Sequence, residues 1–368
     1  LPLQPKKHIA KIKSGVHGGI NYAELEASGI DVNSVIDFSV STNPFMPPPG
    51  IKEAIAAAPI ERYPDSQATA LCRMLAGKLG VEATNIIAGS GTTELIRTIA
   101  MVYFRQGDHI LILEPTYGEY ELACRLVGAR PIKYRARENE GFSPNIEEVV
   151  DFIKQKQLRG VFICNPNNPT GKYLSRNAIE KVIGALKDGV LILDEAYLPF
   201  VEESWDSLDS IKNGNIIILR SMTKDYGLPG LRLGYAVASG DIINVLRIAL
   251  PPWNVNAVAQ SAGLAVLKED KYLKNSLTKT REARDFLMGE IKRLGFDVLS
   301  SDAHFFLVKV ANAAACRRAL LKKGILVRDC SSFGLPHYIR IAPRPRVECQ
   351  KLIEALKDIK KTGGDSVS

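Results

Sequence analysis

The stretch Asn215-Ile216-Ile217-Ile218-Leu219-Arg220-Ser221-Met222-Thr223-Lys224-Asp225-Tyr226-Gly227-Leu228-Pro229-Gly230-Leu231-Arg232-Leu233-Gly234-Tyr235 joins an apolar run to a turn carrying one lysine and one arginine, with glycines and a proline between them. The pattern predicts a strand over residues 216–220, so Lys224 lies on the turn beyond its carboxyl edge, where open α/β sheets bind ligands. A lysine on a turn is usually solvated and idle. Followed closely by Arg232, it can instead present an amine and a phosphate clamp to one ligand.

Other strand ends strengthen that reading. Gly189-Val190-Leu191-Ile192-Leu193-Asp194-Glu195-Ala196-Tyr197 is too continuously apolar for a half-solvated strand and reads as a parallel strand covered on both faces. Asp194 at its end is either a loop solvator or, beside a heteroaromatic cofactor, a charge that keeps a ring nitrogen protonated. Gly160 to Cys164 reads as another buried strand, opening into the turn Asn165-Pro166-Asn167-Asn168-Pro169-Thr170-Gly171. Three strand ends thus carry Asn168, Asp194 and Lys224 in chain order. Upstream, Asn85-Ile86-Ile87-Ala88-Gly89-Ser90-Gly91-Thr92-Thr93-Glu94 reads as strand, glycine turn and helix start, with Thr92 or Thr93 near the cap. Amides at a helix start attract an anion. A Gly-Ser-Gly turn alone is weak, but with Ser221, Thr223 and Arg232 it makes a complete phosphate cup.

Apolar runs near 86–89, 109–113, 130–134, 160–163, 189–193, 216–220 and 233–237 alternate with helical stretches, which predicts an α/β fold with a mainly parallel sheet. Residues 256–293 read as almost wholly helical. Residues 295–341 mix short strands with a helix at 313–323, and a terminal helix runs from Val347 to Lys360. The expectation is a large α/β domain over 45–250 and a smaller α+β lobe, with Gly363 to Ser368 a frayed tail.

Taken together, these motifs resemble the aspartate-aminotransferase superfamily of pyridoxal-phosphate enzymes, fold type I, over nearly all of the chain. The resemblance implies that pyridoxal 5'-phosphate is held by Lys224 through a Schiff base, with Asp194 on the pyridine nitrogen and Tyr197 and Asn168 on the phenolic oxygen. It places Ser90, Gly91, Thr92, Ser221 and Arg232 on the phosphate, in the cup that Thr223 also joins, and Tyr117 on the ring face. Tyr63 matches a tyrosine that reaches the neighbouring subunit's phosphate, which presupposes a homodimer. Residues 1–44 would join 251–368 in the small domain, with the ligand between lobes. The chemistry fits these residue types, since a desolvated lysine beside a cation has a lowered pKa and stays nucleophilic.

Within the superfamily, Arg340 matches the position that grips an α-carboxylate, and Arg328 the position of an arginine that binds a substrate phosphate. Ser14-Gly15-Val16-His17-Gly18-Gly19-Ile20-Asn21, Ile36-Asp37-Phe38-Ser39, Asn43-Pro44 and Pro252-Trp253-Asn254-Val255-Asn256-Ala257 look like the cobalamin-pathway L-threonine-O-3-phosphate decarboxylase family. There His17 and the backbone of Gly18 would meet the substrate phosphate. The function expected is decarboxylation of threonine phosphate to aminopropanol phosphate, or of an analogue such as serine phosphate. The alternative is a histidinol-phosphate-type aminotransferase using glutamate or 2-oxoglutarate. A third reading, a binding protein that kept the fold, is opposed by the intact Lys224, Asp194 and Arg232. Three departures stand out. Asp225 sets a carboxylate beside Lys224, which would raise the lysine's pKa; Tyr197 replaces a phenylalanine; and Ser14 is one position further from His17 than its counterpart.

Composition adds bounds. The chain of 368 residues is 46% hydrophobic, long enough for a large core and a second lobe. It shows no run of about eighteen apolar residues and no signal peptide, although Leu1 to Lys7 read as a processed end. The 6 cysteines are scattered without a Cys-x-x-Cys pair, which argues against metal ligation and disulfides and for a reduced, cytoplasmic setting. The net charge of +8 comes from basic residues interleaved with acids, pointing to a small anionic substrate rather than nucleic acid or membrane.

Overall fold

The apolar runs become strands wherever both of their faces can be covered. The computed structural model describes residues 3–361, apart from 7, 11, 13, 14 and 49. Ser14, the expected processed end at Leu1 and Lys7, and the tail Gly363 to Ser368 therefore lie outside or at the edge of the described residues. In chain order the strands are β1 (Ile36–Asp37), β2 (Ile86–Gly89), β3 (His109–Glu114), β4 (Arg130–Arg135), β5 (Leu158–Cys164), β6 (Val190–Asp194), β7 (Ile216–Ser221), β8 (Gly234–Val237), β9 (Phe306–Lys309), β10 (Ile325–Leu326), β11 (Arg328–Asp329) and β12 (Tyr338–Ile341).

The central sheet has the order β2-β8-β7-β6-β5-β3-β4. Only β8 runs against its neighbours; the β3, β4, β5, β6 and β7 pairings are all parallel. Alternate residues of one run serve opposite cores. Ile216 and Ile218 pack with Leu191, Leu193 and Val161 on one face, while Ile217 and Leu219 pack with Ile192, Phe162 and Ile112 on the other. That two-sided burial explains why the strands read as continuous apolar stretches rather than alternating ones. Helices Thr92–Tyr103 and Gly240–Ala249 cover the second face, and helices Thr69–Leu79, Ile146–Gln155, Arg176–Ala185 and Ala257–Val266 cover the first.

A separate α+β body follows. The antiparallel sheet β11-β12-β9 packs with the long helix Asp270–Arg293 and the helices Ala313–Leu321 and Arg346–Lys361 around a third core containing Leu287, Phe306, Leu320, Ile339 and Leu352. The amino-terminal segment enters this body, because β1 pairs in parallel with β10, Ile36 opposite Ile325. The chain then crosses back over the large sheet through residues 38–46. Ser39, Ser41 and Asn43 are all buried on that crossing.

Candidate active site

One cleft of about 1390 Å³ opens beyond the carboxyl ends of β5, β6 and β7, between the sheet and the α+β body. Its lining brings together Ser90, Thr92, Tyr117, Asn168, Asp194, Tyr197, Ser221, Thr223, Lys224, Arg232, Arg328, Arg340, His17 and Gly18, nearly every position singled out from the sequence. Parallel strands end on one edge, so their terminal residues converge.

At the floor, Asp194 is the last residue of β6, in register with Cys164 of β5 and Leu219 of β7. Its Oδ2 accepts from the Tyr120 hydroxyl at 2.7 Å and its Oδ1 from the Ala196 amide at 3.0 Å. Tyr120 is fully buried and stacks on Phe162, ring centroids 4.9 Å apart. Burial pushes the Asp194 carboxyl above the usual carboxylate range, against those two hydrogen bonds. A carboxylate set this deep calls for a cation.

Lys224 is half-buried, its ammonium 5.8 Å from the Tyr197 ring centroid. Burial, then the charges of Arg340 and Arg232, bring its pKa down to about 8, opposed by Asp194. The expectation for Asp225 is therefore corrected. Its carboxyl is buried and accepts from the Tyr226 amide at 3.0 Å, and the Lys224 pKa falls rather than rises. Desolvation raises Asp225 to about 7.

The glycine turn after β2 leads into helix Thr92–Tyr103, with Gly91 as its cap at φ 78°, ψ 165°. A Cβ on Gly91 would stand 2.4 Å from Arg232 Nη2, and one on Gly234 would stand 2.9 Å from the Thr92 amide nitrogen. The two glycines thus leave a cradle in which Arg232, itself at φ 58°, closes on the helix start. Ser221 Oγ and Thr223 Oγ1 lie 2.8 Å apart at its side, and Tyr117 OH is 3.3 Å from Thr93 Oγ1. Glu94 occupies the Ser90 amide at 2.7 Å, as expected for an acid in the first turn.

At the other end two arginines are buried, Arg328 at 6% and Arg340 at 5% exposure, and among the described residues neither has a carboxylate partner. Arg340 donates to Asn168 Oδ1 and to the Ser39 carbonyl, leaving its Nε unpartnered. Arg328 donates to the Val16 and His17 carbonyls at 2.8 and 3.3 Å and to Ser332 Oγ at 2.7 Å. Buried guanidinium groups without an internal counter-ion are costly unless an anion arrives from outside. His17 Nε2 lies 3.1 Å from Glu119 Oε1, and Arg97 holds the other oxygen at 2.9 Å, which keeps the buried Glu119 carboxyl below its ordinary range.

Tyr63 is not brought to the cleft. It is 76% exposed and stacks on Trp253 with ring centroids 4.3 Å apart. Sequence reasoning missed Tyr120, Glu119 and Arg97, whose place in a helical pattern gives no sign of chemistry, and Ser39, whose carbonyl accepts from Arg340 and whose hydroxyl accepts from the Gly19 amide.

A family model described as Aminotransferase class I and II matches residues 33–356. The chain belongs to this family. Histidinol-phosphate aminotransferase of Moorella thermoacetica is 36% identical over 338 residues, 90% of this chain and 86% of that protein. Among solved structures, histidinol-phosphate aminotransferase from Clostridium acetobutylicum has a TM-score of 0.82 at 27% identity, covering 89% of this chain and 100% of that one. L-threonine-O-3-phosphate decarboxylase from Porphyromonas gingivalis has a TM-score of 0.79 at 28% identity, with the same coverage of each.

As a member of the class I and II aminotransferases, the chain takes pyridoxal 5'-phosphate as its cofactor. The residues present fit that group. They offer a depressed-pKa amine, a buried carboxylate for a ring nitrogen, a tyrosine face and a cradle that any side chain at position 91 would fill. No helix of the described residues is long and apolar enough to cross a membrane, and all 6 cysteines are buried and free.

Proposed function

We propose that the cleft binds pyridoxal phosphate at Lys224 and exchanges the amino group of a small phosphorylated amine, in the manner of the histidinol-phosphate aminotransferases, with glutamate or 2-oxoglutarate as partner. The observation that carries the substrate class is the pair of buried arginines facing one cleft without carboxylate partners among the described residues. The reaction type is supported by the curated relatives, among them the Moorella thermoacetica protein at 36% identity.

The bound cofactor supplies an electron-withdrawing ring that takes up the electron pair released at the substrate's α-carbon. The rest is done by this chain. Asp194, buried and braced by Tyr120, would hold a proton on the ring nitrogen, the ring cation and the carboxylate stabilising each other's charged form. The helix start at Thr92 with Gly91, Ser90, Ser221, Thr223 and Arg232 seats the phosphate. Tyr117 would lie against the ring, and Asn168 and Tyr197 would hold the phenolic oxygen; all three line the cleft. Lys224, with a pKa near 8, is an amine for an appreciable fraction of the time at neutral pH and carries a proton to or from the α-carbon at its Nζ. Arg340, which lines the cleft, would take the α-carboxylate of glutamate, and Arg328 with His17 and Gly18 would receive the phosphate of the phosphorylated amine. Holding the anionic end of each substrate would fix how its α-carbon is presented to Lys224. The expected assembly is a homodimer in which Tyr63, exposed here, meets the partner's phosphate cup, in a cytoplasmic setting.

A second reading is decarboxylation of L-threonine-O-3-phosphate or a close analogue. One observation favours it: the loop Val16-His17-Gly18 is docked on Arg328 through two carbonyls and pinned by Glu119, which builds a phosphate site from the amino-terminal segment typical of the decarboxylase resemblance. The protein of Porphyromonas gingivalis, at 28% identity, supports it as well. Holoenzyme incubated with histidinol phosphate and 2-oxoglutarate, and separately with threonine phosphate and no acceptor, decides between them. Glutamate formed only in the first mixture supports amino transfer. Aminopropanol phosphate and carbon dioxide in the second overturn it in favour of decarboxylation, and no product in either overturns both.

A further inference from the structure

Asn43 is buried and lies in the segment that crosses from the α+β body back over the large sheet. Its amide nitrogen donates to the Lys224 carbonyl at 2.8 Å, and its side-chain Nδ2 donates to the next carbonyl, that of Asp225, at 3.0 Å. The second Nδ2 hydrogen goes to Ser276 Oγ at 2.8 Å, on the long helix Asp270–Arg293. Its Oδ1 accepts from the Phe45 amide at 3.1 Å and lies 3.1 Å from Thr280 Oγ1, one turn further along that helix. The full capacity of the amide is used, and the Phe45 N–H fixes which way round it sits. Ser276 and Thr280 are buried as well, so none of these bonds is exchanged with bulk water. The neighbouring Met46 closes the same contact: a Cβ on Gly227, which is at φ 63°, would lie 2.7 Å from Met46 Cβ.

We infer that Asn43 is a positioning residue for Lys224. It grips the carbonyl of Lys224 itself and that of the next residue, Asp225, and ties them to the long helix of the α+β body. A shift of the helix turn Ser276–Thr280 is then passed to the lysine backbone through three buried hydrogen-bonding side chains, Asn43, Ser276 and Thr280. The inference rests on the reading that Lys224 carries the cofactor; it does not depend on which reaction follows.

The test uses holoenzyme and follows the absorbance band of lysine-bound cofactor against pH. In Asn43→Ala the lysine loop loosens and its nitrogen gains access to water, which favours the charged form; the midpoint is expected to rise by about half a pH unit or more. Ser276→Ala and Thr280→Val are expected to move it in the same direction by less. Leu352→Ala, a cavity in the third core remote from the lysine turn, is expected to lower thermal stability and leave the midpoint where it was. Midpoints in Asn43→Ala that follow Leu352→Ala would overturn the inference. Where Asn43→Ala does not fold, unmoved midpoints in both Ser276→Ala and Thr280→Val overturn it equally. Retention of the band in Lys224→Ala would instead remove the cofactor assignment of the lysine, an outcome distinct from the first.

Discussion

Gly91→Ala isolates the phosphate cup. The backbone at Gly91, φ 78° and ψ 165°, is in a region open almost only to glycine, and forcing alanine there costs about 1–3 kcal/mol. Part of this is offset by the lower entropy of the unfolded alanine chain, about 0.4–1 kcal/mol. That strain is common to the cofactor-free and cofactor-bound protein, so it lowers thermal stability without changing affinity. The affinity loss comes from the new methyl group, 2.4 Å from Arg232 Nη2 and 3.1 Å from its Cζ. The guanidinium must withdraw from the cradle, which removes a charge-assisted hydrogen bond worth about 1.5–3 kcal/mol. With 1.4 kcal/mol per factor of ten, Kd for pyridoxal phosphate should rise by roughly ten- to a hundredfold. Titration of the cofactor-free protein, followed by absorbance, measures it. Gly184→Ala is the control, since nothing lies within 4 Å of its added Cβ inside helix Arg176–Ala185. Cofactor affinity in Gly91→Ala equal to that of Gly184→Ala would refute the placement of the phosphate.

Three further outcomes follow from the charges. Asp225 has a folded-state pKa of about 7, above its ordinary 3.8, so the folded protein binds the extra proton between those values; stability should fall as pH rises through that window and level off above it. Asp225→Asn should abolish this slope and stabilise the protein at pH 8 by roughly 2–4 kcal/mol in chemical denaturation. Lys224 is shifted the other way, to about 8 from 10.5, so the cofactor-free protein should gain stability as pH rises from 8 to 10.5, and Lys224→Met should remove that gain and stabilise the cofactor-free protein by roughly 1–3 kcal/mol at pH 7. Arg328→Lys loses the forked donors that meet the Val16 and His17 carbonyls and Ser332; kcat/KM for the phosphorylated substrate should fall by about ten- to a hundredfold, while cofactor affinity measured by absorbance stays unchanged.

The large sheet was legible because its strands are covered on both faces. Val190 to Asp194 and Ile216 to Ser221 bury every residue or nearly so, and two-sided burial demands an unbroken apolar run. The convergence of Asn168, Asp194 and Lys224 was legible for the same reason, since parallel neighbours end on one edge. Tyr120 was hidden because a tyrosine on the buried side of helix Glu119–Leu126 satisfies an amphipathic pattern without any need of Asp194. Glu119 and Arg97 were hidden because solvated acids and bases look the same in a sequence as a buried carboxylate shared between a histidine and an arginine. Asp225 was misread through proximity along the chain; burial and the charges of Arg340 and Arg232, brought in from distant segments, lower the Lys224 pKa. Backbone carbonyls leave no trace in residue identity, so neither the capture of Arg328 by Val16 and His17 nor the grip of Asn43 on Lys224 and Asp225 could be read before the chain was folded.

The central claim is that one amine, set between Asp194 and the glycine-lined cup, carries the cofactor. Reduction of the pyridoxal-phosphate-loaded protein with borohydride, followed by digestion and mass analysis, tests it directly. A single pyridoxyl adduct is expected on the peptide containing Lys224, and none on the corresponding peptide of Lys224→Ala. An adduct on any other lysine, or none, would contradict it.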